Sequence, residues 1–174
     1  MTNDEEIIKK LSKVALFNGL NDDQLTTIAD LGTYTSKGRN QYIVLENTEG
    51  NQIFVLLEGT VDIEVLMPVS HKPNSKTKEC IAQLHAGDVL GEMSLFSKNK
   101  RSASAKVIKV ATYIEFKNNE LFDLFIKRND IGYCIMKNLS SILTSRIEKT
   151  NKDLKSRIYQ VINPFLNYSV SATA

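Results

Sequence analysis

The sequence GEMSL at residues 91–95, followed after five residues by RSASA at residues 101–105, decides both the fold and the function that we predict. Glycine lets the backbone turn tightly and approach a ligand closely. The segment after Glu92 has room for about one helical turn, and the unpaired amides at the start of such a turn suit a phosphate. Arg101 adds a fixed positive charge and Ser102 adds a hydroxyl donor. The stretch therefore predicts a site for a small phosphate-bearing ligand.

Glu92 is unexpected in such a site, because a carboxylate repels a phosphate. A carboxylate does accept hydrogen bonds from sugar hydroxyls, as an acidic residue does in dinucleotide sites. The ligand is then expected to hold a hydroxyl and a phosphate close together, as in a nucleotide whose phosphate is folded back on its ribose. The alternative is that Glu92 and Arg101 are solvent-facing charges on a loop.

The two motifs resemble the phosphate-binding cassette of cyclic nucleotide-binding domains of the catabolite activator and cyclic-AMP-dependent kinase regulatory type. The resemblance fixes Gly-Glu, a small residue, Leu and Arg-small-Ala at defined spacing. It implies that Glu92 binds the ribose 2′-hydroxyl and that Arg101 binds the exocyclic phosphate oxygens. Asn47 stands where the family usually has glycine, and asparagine tolerates the left-handed conformation that such a position needs. The other expected ligand-binding residues of the cassette are Gly91, Met93, Ser94, Leu95, Ser102 and Ala103.

A polar pair, Thr150-Asn151, interrupts the apolar spacing of the C-terminal segment. In the catabolite activator protein a polar pair at a similar place on the long helix reaches the adenine base, so the resemblance implies a base contact here and favours cyclic AMP. The hydroxyl of Ser102 suits a phosphate or a guanine edge, which leaves cyclic GMP open. A polar residue in a dimer seam also fixes helix pairing, and this alternative stays open.

Short β-rich runs between residues 34 and 116, separated by Gly, Asn and charged turns, predict a mainly β domain. The resemblance implies a jelly-roll barrel of about eight strands. Gly59 is expected to turn a hairpin, and residues 67–78 are expected to form an exposed loop. We expect one cyclic nucleotide-binding domain over residues 1–163 and a tail at residues 164–174.

Helical patterns flank the β-rich region. N-terminal helices are expected within residues 4–31, and Asn21 begins the second of them with a capping box. C-terminal helices are expected within residues 118–162, with Asn118 as a cap and Pro164 as the stop. The last helix is longer than a small barrel can cover, so part of it is expected to pair with a second copy of the chain or to fold back.

Composition argues against several classes of function. The chain has 22 Lys and Arg against 20 Asp and Glu, and this balance gives no basic field for nucleic acid or an anionic membrane. No apolar run approaches the ~20 residues of a membrane helix, and no signal peptide is evident, so we expect a cytoplasmic protein without a membrane partner. Residues 156–174 hold one arginine and no lysine, so no DNA-binding domain is expected in this chain.

Catalytic chemistry is not expected either. His71 and His85 are the only histidines and lie 14 positions apart, and no Ser-His-Asp or Cys-His set stands out. We therefore predict no metal, no cofactor and no enzyme, but a regulatory module in which binding of the cyclic nucleotide repositions the C-terminal helices. The alternative is a degenerate domain of the same fold that serves only protein interaction or dimerisation. The intact Glu92 and Arg101 argue against that alternative.

Overall fold

The computed structural model describes residues 2–69 and 76–171 of the chain, with side chains from residue 5 to residue 163 within those ranges. Short 3₁₀ helices lie at Ala15–Phe17 and Glu92–Leu95. The longer helices and the strands follow in the order α1 (Thr2–Leu11), α2 (Asp22–Leu31), β1 (Thr33–Lys37), β2 (Tyr42–Val44), β3 (Gln52–Pro68), β4 (Lys76–His85), β5 (Val89–Leu90), β6 (Ser104–Lys117), α3 (Asn118–Lys127) and α4 (Asn129–Ser171).

The strands form one antiparallel sheet. Its main path is β1-β6-β3-β4, while β2 pairs with β6 and β5 pairs with β3. Among the described residues the sheet has six strands and is not closed, so the expected barrel of about eight strands is corrected. The count is lower because β3 and β6, of 17 and 14 residues, pass through register shifts instead of ending in turns.

Gly59 shows how one long strand replaces two predicted ones. It lies inside β3 with φ +95°, and a Cβ there would lie 2.3 Å from the carbonyl oxygen of Val110. The pairing with β6 changes register between Leu56 and Glu58 and again between Glu58 and Thr60. A glycine at such a bulge bends and twists a strand without ending it. The predicted hairpin turn at Gly59 is therefore wrong.

The apolar side of the sheet packs into a core that reaches the predicted cassette. The rings of Phe54 and Tyr113 meet edge to face with centroids 5.7 Å apart. Leu90, the residue directly before the cassette, belongs to the same cluster. The buried members are Phe54, Leu56, Val61, Leu90, Ala105, Val107, Ala111 and Tyr113. The cassette is thus attached directly to the buried core of the domain.

The N-terminal helices confirm the capping prediction. The side chain of Asn21 accepts a hydrogen bond from the Gln24 amide at 2.9 Å, and the Gln24 side chain accepts one from the Asn21 amide at 2.9 Å. Two donors at the start of α2 are satisfied in this way. Phe17 packs edge to face on Phe116 of β6, with ring centroids 6.2 Å apart, and this contact holds the N-terminal segment on the sheet.

The C-terminal helices differ from the sequence prediction at both ends. Lys117 is the N-cap of α3 and Asn118 is the first helical residue, so the prediction that Asn118 caps the helix is wrong. The α4 helix continues past Pro164 to Ser171, so the predicted stop is also wrong. A proline removes one backbone donor, and the helix continues where the neighbouring hydrogen bonds persist.

Some predicted features fall outside the described residues. The middle of the predicted loop, residues 70–75 with His71, and residues 172–174 of the predicted tail belong to this group. The strands on either side of the loop extend to Pro68 and from Lys76.

The chain divides into two compact units, residues 1–135 and 136–174. The first unit holds the sheet, the cassette, α3 and the first turns of α4. The second unit is the remainder of α4, and its apolar side chains at Ile147, Leu154 and Ile158 are exposed. Within the described part of the chain, none of the helices combines the length and the apolar character that crossing a bilayer requires.

Candidate functional site

The predicted cassette connects β5 to β6. Leu90 of β5 pairs with Phe54 of β3, which fixes the start of the cassette on the sheet. Gly91 follows with φ +77°, and a Cβ on it would lie 2.5 Å from Arg101 Nη1 and 3.0 Å from the Gln52 carbonyl oxygen. Both the backbone conformation and the close approach therefore require glycine at this position.

The Arg101 side chain is held by backbone carbonyls. It is 8% exposed; its Nη1 donates to the Gly91 carbonyl at 3.2 Å and its Nη2 to the Gln52 carbonyl at 2.8 Å. Nη2 also lies 3.4 Å from Gln52 Oε1, and Cζ lies 5.6 Å from the ring centroid of Phe54. These bonds to described residues use three of the five N–H groups of the guanidinium, so two remain for an anion. The guanidinium is therefore held in place by groups of the protein itself.

The loop between β2 and β3 fixes the backbone of Arg101. The Arg101 amide donates to the Thr48 carbonyl at 2.8 Å, and the Asn47 amide donates to the Arg101 carbonyl at 2.8 Å. Asn47 has φ +64°, the left-handed conformation that the sequence predicted asparagine would tolerate. The departure from the usual glycine therefore leaves the loop conformation intact.

Gly50 belongs to the candidate site but was not predicted from the sequence. A Cβ at this position would lie 2.1 Å from Arg101 Nε and 2.4 Å from Cζ. Gly50 therefore forms one wall of the slot that holds the guanidinium. The available signal was a glycine in the loop just before a buried strand, but nothing in the sequence connects it with an arginine 51 positions later.

Glu92 lies in the same site as Arg101. The Glu92 residue is 8% exposed and begins the 3₁₀ turn Glu92–Leu95. Burial lowers the pKa of Arg101, while the carboxylates of Glu92 and Glu115 act in the opposite direction. The guanidinium stays charged in either case, because an arginine does not deprotonate in proteins. The structure thus brings together the acid and the base that the sequence predicts as the ligand's main partners.

The remaining cassette residues differ in exposure. Leu95 is buried and Met93 is 61% exposed. Ser102 is exposed, and its hydroxyl lies 4.0 Å from the Met93 sulfur, a weak contact at most. Ala103 is half-buried just before β6. The side chains of Met93 and Ser102 are therefore exposed at the surface of the cassette, whereas the side chain of Leu95 is buried beneath it.

Ser94 connects the cassette with α3. Its single hydroxyl hydrogen is shared between the carbonyls of Gly91, at 2.8 Å, and Gln52, at 3.1 Å. The side-chain amide of Asn118 donates to the Ser94 carbonyl at 2.8 Å and to the Ser94 hydroxyl at 3.1 Å. Ser94 was predicted as a ligand-binding residue and Asn118 as a helix cap, so the contact between the two was not predicted.

Thr150 and Asn151 lie in the unit of residues 136–174. Both are exposed, and the Thr150 hydroxyl donates to the carbonyl of Arg146, one turn earlier in α4, at 2.9 Å. This bond occupies the only hydroxyl hydrogen that Thr150 has. The predicted contact of this pair with a base stays a prediction.

Comparison with known proteins relates residues 35–128, more than half of the chain, to the family described as the cyclic nucleotide-binding domain. The chain is 32% identical over 101 residues to mouse (Mus musculus) cGMP-dependent protein kinase 2. The aligned region covers 58% of the chain and 13% of the kinase. It is 26% identical over 156 residues to the human (Homo sapiens) kinase of the same name, covering 88% of the chain and 19% of the kinase. The chain therefore spans less than a fifth of each kinase.

Solved structures show the same fold. A cyclic nucleotide-binding domain from Methylobacillus flagellatus superposes with a TM-score of 0.71 at 22% identity, covering 94% of this chain and 84% of that one. The catabolite activator protein of Thermus thermophilus gives 0.70 at 19% identity, covering 83% and 63%. The regulatory domain of Toxoplasma gondii PKA, crystallised with cAMP, gives 0.58 at 17% identity, covering 75% and 49%. At these identities the likeness concerns the fold.

Proposed function

Because the chain belongs to the cyclic nucleotide-binding domain family, we propose that it is a regulatory module that senses a cyclic nucleotide in the cassette. Arg101 pairs with the exocyclic phosphate oxygens, and Glu92 accepts a hydrogen bond from the ribose 2′-hydroxyl. This function needs binding and no bond breaking, so the module itself is not an enzyme. The observation that carries the proposal is the buried guanidinium of Arg101, fixed by two carbonyls with donors left over and with buried Glu92 in electrostatic reach.

The geometry favours a tight contact with a phosphate. A hydrogen bond between charged groups contributes roughly 1.5–3 kcal/mol. The hydrogen bonds of Arg101 to Gly91 and Gln52 restrict its side chain, and such restriction lowers the entropic cost of binding. The carboxylate of Glu92 weakens the attraction for a free phosphate, so a ligand that also offers a hydroxyl is preferred over a simple anion.

The regulatory output is a change in the C-terminal helices. The α3 helix follows β6 directly, and its first residue, Asn118, is hydrogen-bonded to the cassette residue Ser94. A ligand shifts the position of a helix only if it binds one arrangement more tightly than the other. The cassette and the start of α3 are the parts of this unit where that difference in affinity arises.

Cyclic AMP is the ligand that we propose first, on the sequence argument from Thr150 and Asn151. Cyclic GMP is the second candidate, since the exposed hydroxyl of Ser102 adjoins Arg101 and the kinases cited above are named for cGMP. The two nucleotides share the phosphate and the ribose, so the cassette core serves both. The choice between them depends on the base.

Calorimetry with cyclic AMP, cyclic GMP and 5′-AMP tests the proposal. We expect Arg101→Ala to lower the affinity for the cyclic ligand at least about tenfold, equivalent to 1.4 kcal/mol, with the fold intact by circular dichroism. Arg39→Ala is the control, because it removes the same charge from an exposed position. Tighter binding of 5′-AMP, or equal binding by Arg101→Ala and wild type, would contradict the assignment. Absence of any nucleotide binding would favour the interaction module instead.

We also propose that two copies of the chain pair through α4. Ile147, Leu154, Ile158 and Val161 are 48% to 65% exposed and follow one another at steps of seven, four and three residues, the spacing of a coiled-coil seam. Asn151 fills the missing position of this seam, where a single asparagine fixes register. Asn151→Leu separates the two roles: a seam residue strengthens the dimer on substitution, whereas a base contact lowers nucleotide affinity. Sedimentation and calorimetry of this variant measure both effects.

A further inference from the structure

Asn118 joins three parts of the first compact unit. It is 9% exposed and is the first residue of α3. Its backbone amide donates to the Asn51 carbonyl at 2.8 Å, just before β3. Its side-chain amide donates to the carbonyl of Ser94 at 2.8 Å and to the hydroxyl at 3.1 Å. The start of α3 is therefore attached to the sheet by backbone and to the cassette by side chain.

The cassette end of this connection leads to Arg101. The Gly91 carbonyl accepts from the Ser94 hydroxyl at 2.8 Å and from Arg101 Nη1 at 3.2 Å. The Gln52 carbonyl likewise accepts from the Ser94 hydroxyl at 3.1 Å and from Arg101 Nη2 at 2.8 Å. Since Ser94 and Arg101 share both acceptors, any adjustment of the guanidinium toward an anion changes the bonds that orient Ser94. The side-chain amide of Asn118, which donates to Ser94, is the next group in this chain of hydrogen bonds.

The other end of the Asn118 side chain is unsatisfied. Its Oδ1 is buried and has no hydrogen-bond partner among the described residues. A buried acceptor without a partner is unfavourable, and few occur in native structures. The arrangement bonded to Ser94 therefore leaves one polar atom of the side chain without a protein partner. An arrangement that pairs Oδ1 offsets part of the loss of the two bonds to Ser94, and a switch needs two arrangements of similar free energy.

A helix-capping role does not account for these contacts. A capping asparagine uses its side-chain oxygen to accept from an amide of its own helix. In this chain Lys117 occupies the N-cap, and the Asn118 side chain turns away from α3 toward a partner 24 positions earlier in the sequence. Departures of this kind from a local rule are expected at functional or strained positions.

We propose that Asn118 is the positioning residue through which occupancy of the cassette controls α3. A ligand on Arg101 and Glu92 orders the 3₁₀ turn Glu92–Leu95, which strengthens the bonds from Asn118 to Ser94 and holds the start of α3 on the cassette. Without ligand these bonds are weaker, and a partner for Oδ1 in another arrangement offsets part of the cost of breaking them. This inference rests on the proposed function, because it requires a cyclic nucleotide in the cassette.

Hydrogen exchange measured by mass spectrometry on the full chain, with and without saturating cyclic AMP or cyclic GMP, tests this proposal. In the wild type the nucleotide is expected to slow exchange both in residues 92–95 and in residues 118–127. In Asn118→Ala the slowing is expected to persist in the cassette and to be lost in α3, with a Kd within about tenfold of the wild-type value. Asn119→Ala, at the exposed neighbouring position, is the control and is expected to behave as the wild type.

The outcomes separate the two proposals. If Asn118→Ala shows the same slowing of α3 as the wild type while the cassette responds, the positioning role is wrong and the binding function stands. If neither nucleotide slows exchange in residues 92–95 of the wild-type chain, the proposed function fails and this inference fails with it. Asn118→Asp keeps the side-chain volume but removes both donors to Ser94, so it gives the same test if the alanine variant unfolds.

Discussion

Gly50→Ala tests whether the slot around Arg101 controls ligand binding. The added Cβ would lie 2.1 Å from Arg101 Nε, whereas ordinary contact begins at 3.4 Å. Gly50 does not have a positive φ, so the backbone accepts alanine without left-handed strain. The substitution therefore acts on the guanidinium and leaves the loop conformation alone.

The size of the effect follows from these distances. The side chain has to move by about 1.3 Å, the difference between the two distances. A hydrogen bond of 2.8 Å from Arg101 Nη2 to Gln52 does not survive such a shift, and the alignment with a bound phosphate is disturbed by the same amount. Loss of one bond between charged groups, roughly 1.5–3 kcal/mol, corresponds to about a 10- to 150-fold weaker affinity.

Calorimetry with the cyclic nucleotide that the wild type prefers measures this loss, and circular dichroism confirms that the variant folds. Gly38→Ala is the matched control, because a Cβ there meets only the Gln41 side chain, at 3.7 Å. Wild-type affinity in Gly50→Ala would refute the argument that the fixed position of Arg101 matters for binding. An equal loss in Gly38→Ala would show that the effect is not specific to the slot.

Three further predictions concern stability and assembly. Gly59→Ala is expected to lower the free energy of unfolding in urea more than Gly87→Ala does. Both glycines have φ +95°, but a Cβ on Gly87 meets no described atom within 4 Å. The Gly87 variant therefore measures the backbone strain alone, about 1 kcal/mol. Leu154→Asp is expected to abolish the dimer in sedimentation experiments, whereas Lys152→Asp, at an exposed polar position, leaves more of it intact. Hydrogen bonds from an arginine and a glutamine hold the pKa of Asp130 below its usual value, so the stability advantage over Asp130→Asn is expected above about pH 4 and is lost in thermal unfolding measurements as the pH falls toward the lowered pKa.

Local signals in the sequence were sufficient where the partners lie close together along the chain. The capping box of Asn21 and Gln24 spans three residues and was predicted correctly. Glu92 and Arg101 were predicted as one site because a known motif specifies their spacing, and both are buried there. In both cases the residues that interact in the structure are the same residues that form the recognisable pattern in the sequence.

The sequence was insufficient where a distant partner decides the structure. In a sequence, a glycine of a hairpin turn cannot be told from a glycine of a β-bulge. Only the pairing of β3 with β6 shows that Gly59 lies at a bulge. Asn118 fits a helix cap by local rules, but the carbonyl of Ser94 competes for its side chain. Gly50 acquires its role from the position of Arg101, which no pattern of loop residues predicts.

The groups that hold Arg101 on Gly91 and Gln52 are main-chain carbonyls. Every amino acid carries a carbonyl oxygen, so no codon change at either position deletes these acceptors, and none of them gains or loses a proton across the biological pH range. The loss of this anchor in related chains is therefore expected to come from added bulk or from a bent backbone. To judge whether a related chain has lost nucleotide binding, the glycines that contact the arginine should be compared as well as the arginine itself.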